Sequence, residues 1–198
     1  YKEEGIEIHK CIRYTDMALG KFFASASKQP WFKNTIFVLT SDHTNMSDHA
    51  EYKTDLGEYA GPIIIYDPSG TIEPGVRTGV AQQTDILPTV MGILGYNKPY
   101  LAFGCDVLNT PPSQTYAVNY MNGVYQYVKY GYVLQFDGQH TKGLYVLTDR
   151  LMKHNLAGKV PQQQQMEKEL KAIIQQYMTR MVNDRLMPTP ILPKGGAN

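Results

Sequence analysis

Ser41-Asp42-His43-Thr44 sets a carboxylate beside an imidazole. An oxygen and a nitrogen of these types make a hard-to-borderline ligand pair for a divalent ion. The preceding run, Asn34-Thr35-Ile36-Phe37-Val38-Leu39-Thr40, is apolar and β-branched and predicts a buried strand at 35–41. Side chains released at the C-terminal end of such a strand lie where open α/β sheets place ligands. Taken alone, the pair also fits an ordinary turn at a strand end.

His49 follows in the same loop, close enough in sequence to reach that pair. An imidazole is the natural general acid near neutral pH, so His49 is a candidate catalytic residue; its competing reading is a solvated loop histidine. His9, His140 and His154 read as structural or exposed, and Arg77 and Lys53 as solvated charges. Cys11 and Cys105 have neither disulfide-framework nor metal-site spacing, and their apolar neighbours predict buried free thiols.

The elements that would position these residues follow α/β grammar. Ile8, Ile12, Leu19, Phe22 and Phe23 predict an amphipathic helix over 5–27, ended by Gln29-Pro30. Residues 44–60 read as a long polar loop over the strand ends. Pro62–Tyr66 predicts a second buried strand, closed by Asp67-Pro68-Ser69-Gly70. A helix capped by Thr84 or Asp85 should then bury Leu87, Val90, Met91 and Leu94 and stop at Gly95.

The pattern changes near Pro111-Pro112. Residues 115–147 are rich in Tyr and Val, and Asn122-Gly123 and Asp137-Gly138 are hairpin signals, so three or four antiparallel strands are expected. The tyrosines there read as strand formers rather than as sugar-stacking platforms. A last amphipathic helix is expected at 162–185, followed by a frayed tail from Pro188. Three regions result: 1–112, the α/β part; 113–160, the antiparallel strands; and 161–198, the helix and tail.

The 198 residues suffice for one substantial core, and 42% apolar with 19% charged residues describe a globular protein. A net charge of +1 gives no reason to expect nucleic acid as a partner. No apolar run approaches the roughly 20 residues that span a bilayer, so the chain itself reads as soluble. It opens on Tyr1 rather than Met and enters a helical pattern almost at once, which reads as a fragment; the lack of a leader then says nothing of location.

Four stretches resemble, in order, the C-terminal half of sulfatase-like members of the alkaline phosphatase superfamily, and within them the lipoteichoic acid synthase-like proteins. These are Tyr14-Thr15-Asp16 with Leu19-Gly20 and Phe22-Phe23; Trp31 through His43; Gln83-Thr84-Asp85-Ile86-Leu87-Pro88-Thr89-Val90 with Leu94-Gly95; and Leu144-Tyr145, Leu147, Asp149 with Asn155-Leu156. The resemblance implies a fold: the C-terminal half of an alkaline-phosphatase-like α/β sandwich plus a small antiparallel meander and a C-terminal helix.

It also implies chemistry. In the family a Thr, Ser or modified Cys nucleophile attacks phosphorus or sulfur at a divalent metal, which lowers the nucleophile's pKa. Asp42 and His43 match two metal ligands, and the nucleophile belongs to an N-terminal half, the implied partner of this chain. The signature Cys-x-Pro-x-Arg is absent here, and Thr44 stands where sulfatases often have Gly. A histidine ligand favours Mn or Zn, with Ca possible as in sulfatases proper.

The implied parent acts on a phosphate ester, of phosphoglycerol type, or a sulfate ester, lipid- or glycan-linked. It would be membrane-anchored and extracytoplasmic, and the isolated chain inactive. A catalytically silent domain that binds a glycan or a partner is the alternative reading.

Overall fold

The computed structural model describes residues 5–44 and 46–188. Helix α1 (Ile8–Ala26) is followed by strand β1 (Phe37–Thr40), short helix α2 (Asp55–Glu58), strand β2 (Ile63–Tyr66) and helix α3 (Ile86–Ile93). Strands β3 (Ala117–Met121), β4 (Val124–Lys129), β5 (Tyr132–Phe136) and β6 (Thr141–Val146) come next, and helix α4 (Gln162–Val182) closes the order. The order is the expected one, an α/β part followed by an antiparallel meander and a closing helix.

The meander runs β3-β4-β5-β6 in sequence order because two-residue turns join its first strands. Asn122 and Gly123 take φ of 53° and 82°, the left-handed values a type I′ turn needs, and Met121 pairs Val124 across them. Tyr130-Gly131 does the same between β4 and β5, with φ of 54° and 76°. The Asp137-Gly138 loop is instead stitched by the Asp137 carboxylate, which accepts the main-chain N–H groups of Gln139 and His140.

Alternation along these strands divides the sheet into two faces. One face sends Tyr127, Leu134, Phe136 and Leu144 against Met166 and Leu170 of α4, forming the larger core. Met166 and Leu170 are wholly buried, which stabilises by roughly 1.5–3 kcal/mol apiece. The other face packs Ala117, Val128 and Val133 against Leu56, Val80, Leu147 and Met152. The meander is thus held between α4 and the segment that carries α2.

Several expectations are corrected. The strands predicted to be buried are only partly so: β1 is half-buried, and Ile64 of β2 is 52% exposed. The two form an antiparallel two-stranded sheet, too narrow to cover both of its own faces. Helix α1 likewise leaves Ile12, Leu19 and Phe22 exposed, because little of this chain packs over its apolar stripe. Cys11 lies on that helix and is exposed, and Cys105 is half-buried, so neither is the buried thiol expected. The 44–60 loop contains a 3-10 turn (Ala50–Lys53) and α2. Thr54 caps α2 by accepting the Gly57 N–H, and a Cβ on Gly57 would collide with the Glu51 carbonyl.

Helix α3 is also turned from its expected orientation. Asp85, Pro88 and Thr89 are buried while Leu87 and Leu94 are exposed. Hydrogen bonding explains the rotation. The Asp85 carboxylate accepts N–H groups from Cys105 at 2.7 Å and Gln82 at 2.9 Å, and the Thr89 hydroxyl accepts Val107 N–H at 3.1 Å. Burial pushes the Asp85 carboxyl above its ordinary pKa, against the pull of those donors. Asp85 is the N-cap residue of α3, one of the two expected, while Gln82 caps the 3-10 turn before it (Gln83–Asp85), and its side-chain oxygen also accepts the N–H of Val118 on β3. In α4 the stripe buries Met166 and Leu170 but leaves Tyr177, Met178 and Met181 exposed. The tail predicted to fray lies, from residue 189, outside the described residues.

Candidate active site

The chain leaves β1 at Thr40 and presents Ser41, Asp42 and His43 beyond the strand end. One Asp42 oxygen accepts the His43 main-chain N–H at 2.9 Å, which fixes the carboxylate relative to the turn. His43 Nδ1 lies 2.6 Å from the Thr44 carbonyl. A carbonyl only accepts, so Nδ1 carries the proton and the lone pair of the neutral ring sits on Nε2. Nε2 is 3.5 Å from the second Asp42 oxygen. A ring N–H anchored to a carbonyl, which fixes the tautomer and leaves the opposite nitrogen as the donor, is what metal-ligating histidines have.

The two groups also bias each other's charge. The His43 main-chain N–H, then Asp42's own N–H and the His43 charge, hold the Asp42 carboxyl below its ordinary pKa. The hydrogen bond to Thr44, then the Asp42 charge, raises that of His43. Both side chains are largely open to solvent, at 87% for Asp42 and 53% for His43. They could supply one oxygen and one nitrogen donor to a divalent ion. Among the described residues, no set of three His, Cys, Asp or Glu side chains is gathered to complete a metal cage.

Gln83 backs this strand end. Its side-chain amide donates to the Ser41 carbonyl at 2.7 Å and the Asp42 carbonyl at 3.2 Å. The turn that opens α3 is thereby tied to the loop that carries Asp42 and His43. A cleft of about 540 Å³ runs beside it, bordered by Asp42, Tyr59, Gln83, Asn119 and Arg150. Arg150 is a cation that sequence reasoning did not single out, since it follows the last meander strand and shares no motif with Asp42. Gln83 was visible only as a letter of a motif; its contact with Ser41 depends on how α3 is turned.

His49 begins the 3-10 turn before α2, where its ring meets Tyr52 edge-on at 6.4 Å and Asp48 at 3.8 Å rather than the Asp42–His43 pair. His9 of α1 reaches the same Asp48 at 4.0 Å. His154 is tied to Asp149 at 3.2 Å, and His140 and Arg77 are exposed. Lys53 borders a separate open groove with Thr44 and Glu58. The Thr44 main chain donates to the Glu58 carbonyl at 2.8 Å, so Thr44 fastens the loop to α2.

A family model described as sulfatase matches residues 8–96, the stretch from α1 through α3 that holds Asp42, His43 and Gln83. An arylsulfatase of Clostridium perfringens (strain 13 / Type A) is 30% identical over 95 residues, which make up 44% of this chain and 20% of that protein. A solved structure of a protein in the alkaline phosphatase superfamily from Vibrio parahaemolyticus superposes with a TM-score of 0.77 at 19% identity, covering 96% of this chain and 45% of that one. Residues 8–96 are thus similar to the sulfatase family, and the chain shares the fold of that alkaline phosphatase superfamily structure. It spans a fifth of the length of the arylsulfatase and less than half that of the Vibrio protein.

Proposed function

We propose that this chain is the C-terminal part of the catalytic domain of a metal-dependent sulfatase-like enzyme that cleaves or transfers sulfate or phosphate esters. The observation that carries the reading is the Asp42–His43 pair, with Nδ1 committed to Thr44 and Nε2 left 3.5 Å from the carboxylate. Asp42 and His43 would hold the ion, with Mn or Zn favoured over Ca by the imidazole donor. When bound, the ion lowers the pKa of a nucleophile and offsets charge on the transferring group. Arg150, across the cleft, would attract the anionic ester, and Gln83 would keep the two ligands in place.

The nucleophile and remaining ligands would come from an N-terminal half of the same parent, so the isolated chain would be inactive. The exposed side chains of α1, Ile12 and Phe22 among them, support such a partner, since apolar stripes of this kind are ordinarily covered. None of the described helices is long and apolar enough to cross a membrane. A membrane-anchored, extracytoplasmic parent of the lipoteichoic acid synthase-like, phosphoglycerol-transferring type rests on the sequence resemblance. His49 is proposed as a general acid only if it moves toward the pair when substrate binds.

The test is Asp42→Ala and His43→Ala in the full-length parent, assayed on aryl sulfate and aryl phosphate esters. Either change should lower turnover at least about a hundredfold, as loss of a metal ligand does. Undiminished turnover in both variants would overturn the proposal and leave a catalytically silent binding domain.

A further inference from the structure

A single helical turn closes too few hydrogen bonds to offset the cost of nucleating it. Helix α2 is only that long, so what holds it must come from outside it. Thr54 satisfies one of its first donors by accepting the Gly57 N–H at 3.1 Å, and the Thr54 hydroxyl donates to the Arg150 carbonyl at 3.2 Å. Leu56 packs against Ala117, Val128 and Val133 of the meander.

Two side-chain amides complete the grip. Gln126 of β4 and Gln135 of β5 are direct cross-strand partners, on the same face of the sheet as Val128 and Val133. Both aim at Asp55. Gln126 Nε2 donates to its main-chain carbonyl at 3.2 Å, and Gln135 Nε2 donates to its carboxylate at 2.7 Å. Gln126 is buried and Asp55 is exposed, so one contact is rooted in the core and the other closes at the surface.

The far end of α2 bears on the loop that carries Asp42 and His43. The last carbonyls of a helix have no partner within it. Here the Glu58 carbonyl accepts the Thr44 N–H at 2.8 Å. The Thr44 carbonyl in turn accepts the His43 ring N–H at 2.6 Å. Thr44 is therefore held through its N–H and holds the imidazole through its carbonyl. The other half of the loop has a separate support, because Gln83 donates to the Ser41 and Asp42 carbonyls.

We propose that Gln126 and Gln135 are positioning residues for His43, acting through α2. By gripping Asp55 they hold the Glu58 carbonyl against Thr44, which keeps the His43 proton on Nδ1 and leaves Nε2 as the donor toward a divalent ion. The amides act at one end of α2, and the imidazole is fixed at the other. Binding of an ion at Nε2 rests on the proposed function, whereas the placing of the ring does not.

The experiment reads the His43 ring directly, by nitrogen NMR of the full-length, metal-free protein at about pH 9, where an imidazole is neutral. The signal lost in His43→Gln assigns the ring, and in the wild type its proton should sit mainly on Nδ1. Gln126→Met and Gln135→Met remove the donors at nearly constant volume, and Asp55→Ala removes the carboxylate. Each should lower the ratio of Nδ1- to Nε2-protonated ring at least about fivefold, the bias that one ordinary hydrogen bond supplies. Asp55→Asn keeps an acceptor for Gln135 and should keep the wild-type ratio. Glu169→Gln loosens the opposite face of the meander and should lower stability in urea without moving the ratio. Gln135 is half-buried and Asp55 exposed, so their variants decide the matter should Gln126→Met fail to fold. Calorimetric titration with Mn or Zn alone should show about tenfold weaker binding in the variants with a lowered ratio.

A wild-type ring protonated on Nε2, or an unchanged ratio in Gln135→Met and Asp55→Ala, overturns the proposal. An equal fall in Glu169→Gln overturns it too, because the effect would then be one of general stability. A lowered ratio in protein that binds neither ion upholds the positioning role and overturns the proposed function instead.

Discussion

Gln83 and Ser41 are joined by a 2.7 Å hydrogen bond between the side-chain amide of one and the main-chain carbonyl of the other. The contact spans two elements and ends directly beside Asp42. If the ligand loop depends on it, Gln83→Ala should weaken Mn or Zn binding by the full-length protein about 10–100-fold, the usual effect of losing a group that orients a ligand. Global stability should change by less than about 1 kcal/mol, because Gln83 is exposed. Calorimetric titration with the metal alone, alongside urea unfolding, reads both. Unchanged affinity would mean the loop holds itself.

Arg150 answers a different question, that of substrate charge. It borders the cleft with Asp42 and its main-chain carbonyl accepts the Thr54 hydroxyl at 3.2 Å, so the backbone there is fixed to the residue that caps α2. Arg150→Ala should raise KM for an anionic ester about tenfold with a smaller change in kcat, because it removes attraction present before and during reaction. Arg150→Lys should recover part of the loss. Steady-state kinetics at two salt concentrations would check this, and an unchanged KM refutes it.

The meander and α4 share an electrostatic latch. Glu169 accepts from the hydroxyls of Tyr127 and Tyr130 at 2.8 and 2.7 Å, from Gln165 at 3.0 Å and from Lys129 at 3.1 Å. Burial would raise its pKa, but these donors together hold it down to about 2. A carboxylate depressed below its unfolded value stabilises above the unfolded pKa and loses that effect as pH falls. The contribution, roughly 3 kcal/mol at neutral pH, should therefore fade between about pH 4.5 and pH 2. Glu169→Gln should lower stability at pH 7 and flatten the decline across that window, read by urea unfolding at a series of pH values. An identical acid profile in the variant would refute the assignment.

Gly104 has little room for a side chain. A Cβ there would collide with the Thr84 carbonyl and the Asp85 carboxylate, in the buried knot that fastens α3 to residues 103–107. Gly104→Ala should destabilise by about 1–3 kcal/mol, and Tm should fall by about 2–4 °C for each kcal/mol. Gly20 on α1 has nothing within 4 Å of its added Cβ, so Gly20→Ala serves as the control and should stabilise slightly. Thermal unfolding of both variants distinguishes crowding from a general effect of added methyl groups.

Local chemistry made the meander legible. Asn122-Gly123 announces a type I′ turn from two letters, and alternation does the rest. Tyr130-Gly131 makes the same turn but was not read, because Tyr rarely adopts a positive φ and its tyrosine resembles the strand residues around it. The apolar stripe of α1 was legible as helix but not as surface, since periodicity shows which face is apolar and not what lies over it. Leu87 and Leu94 misled for the opposite reason. In α3 a buried carboxylate and hydroxyl decided the orientation, and hydrophobic patterning does not register hydrogen bonds to a distant loop. At the site, the adjacent Asp42 and His43 stood out, whereas Gln83 and Arg150 reach the cleft only through tertiary packing.

The order of the meander strands bears on how the chain acquires its shape. Each strand pairs with its neighbour in sequence, across turns of two to four residues, so these contacts cost little chain entropy to close. Strand β1 must instead find β2 across the whole 41–62 segment, which carries the Asp42–His43 pair. The C-terminal region should therefore nucleate first and the loop that carries Asp42 and His43 be among the last parts to set. Leu134→Ala should then chiefly slow refolding and Ile65→Ala chiefly hasten unfolding, a contrast that stopped-flow φ-values would expose or refute.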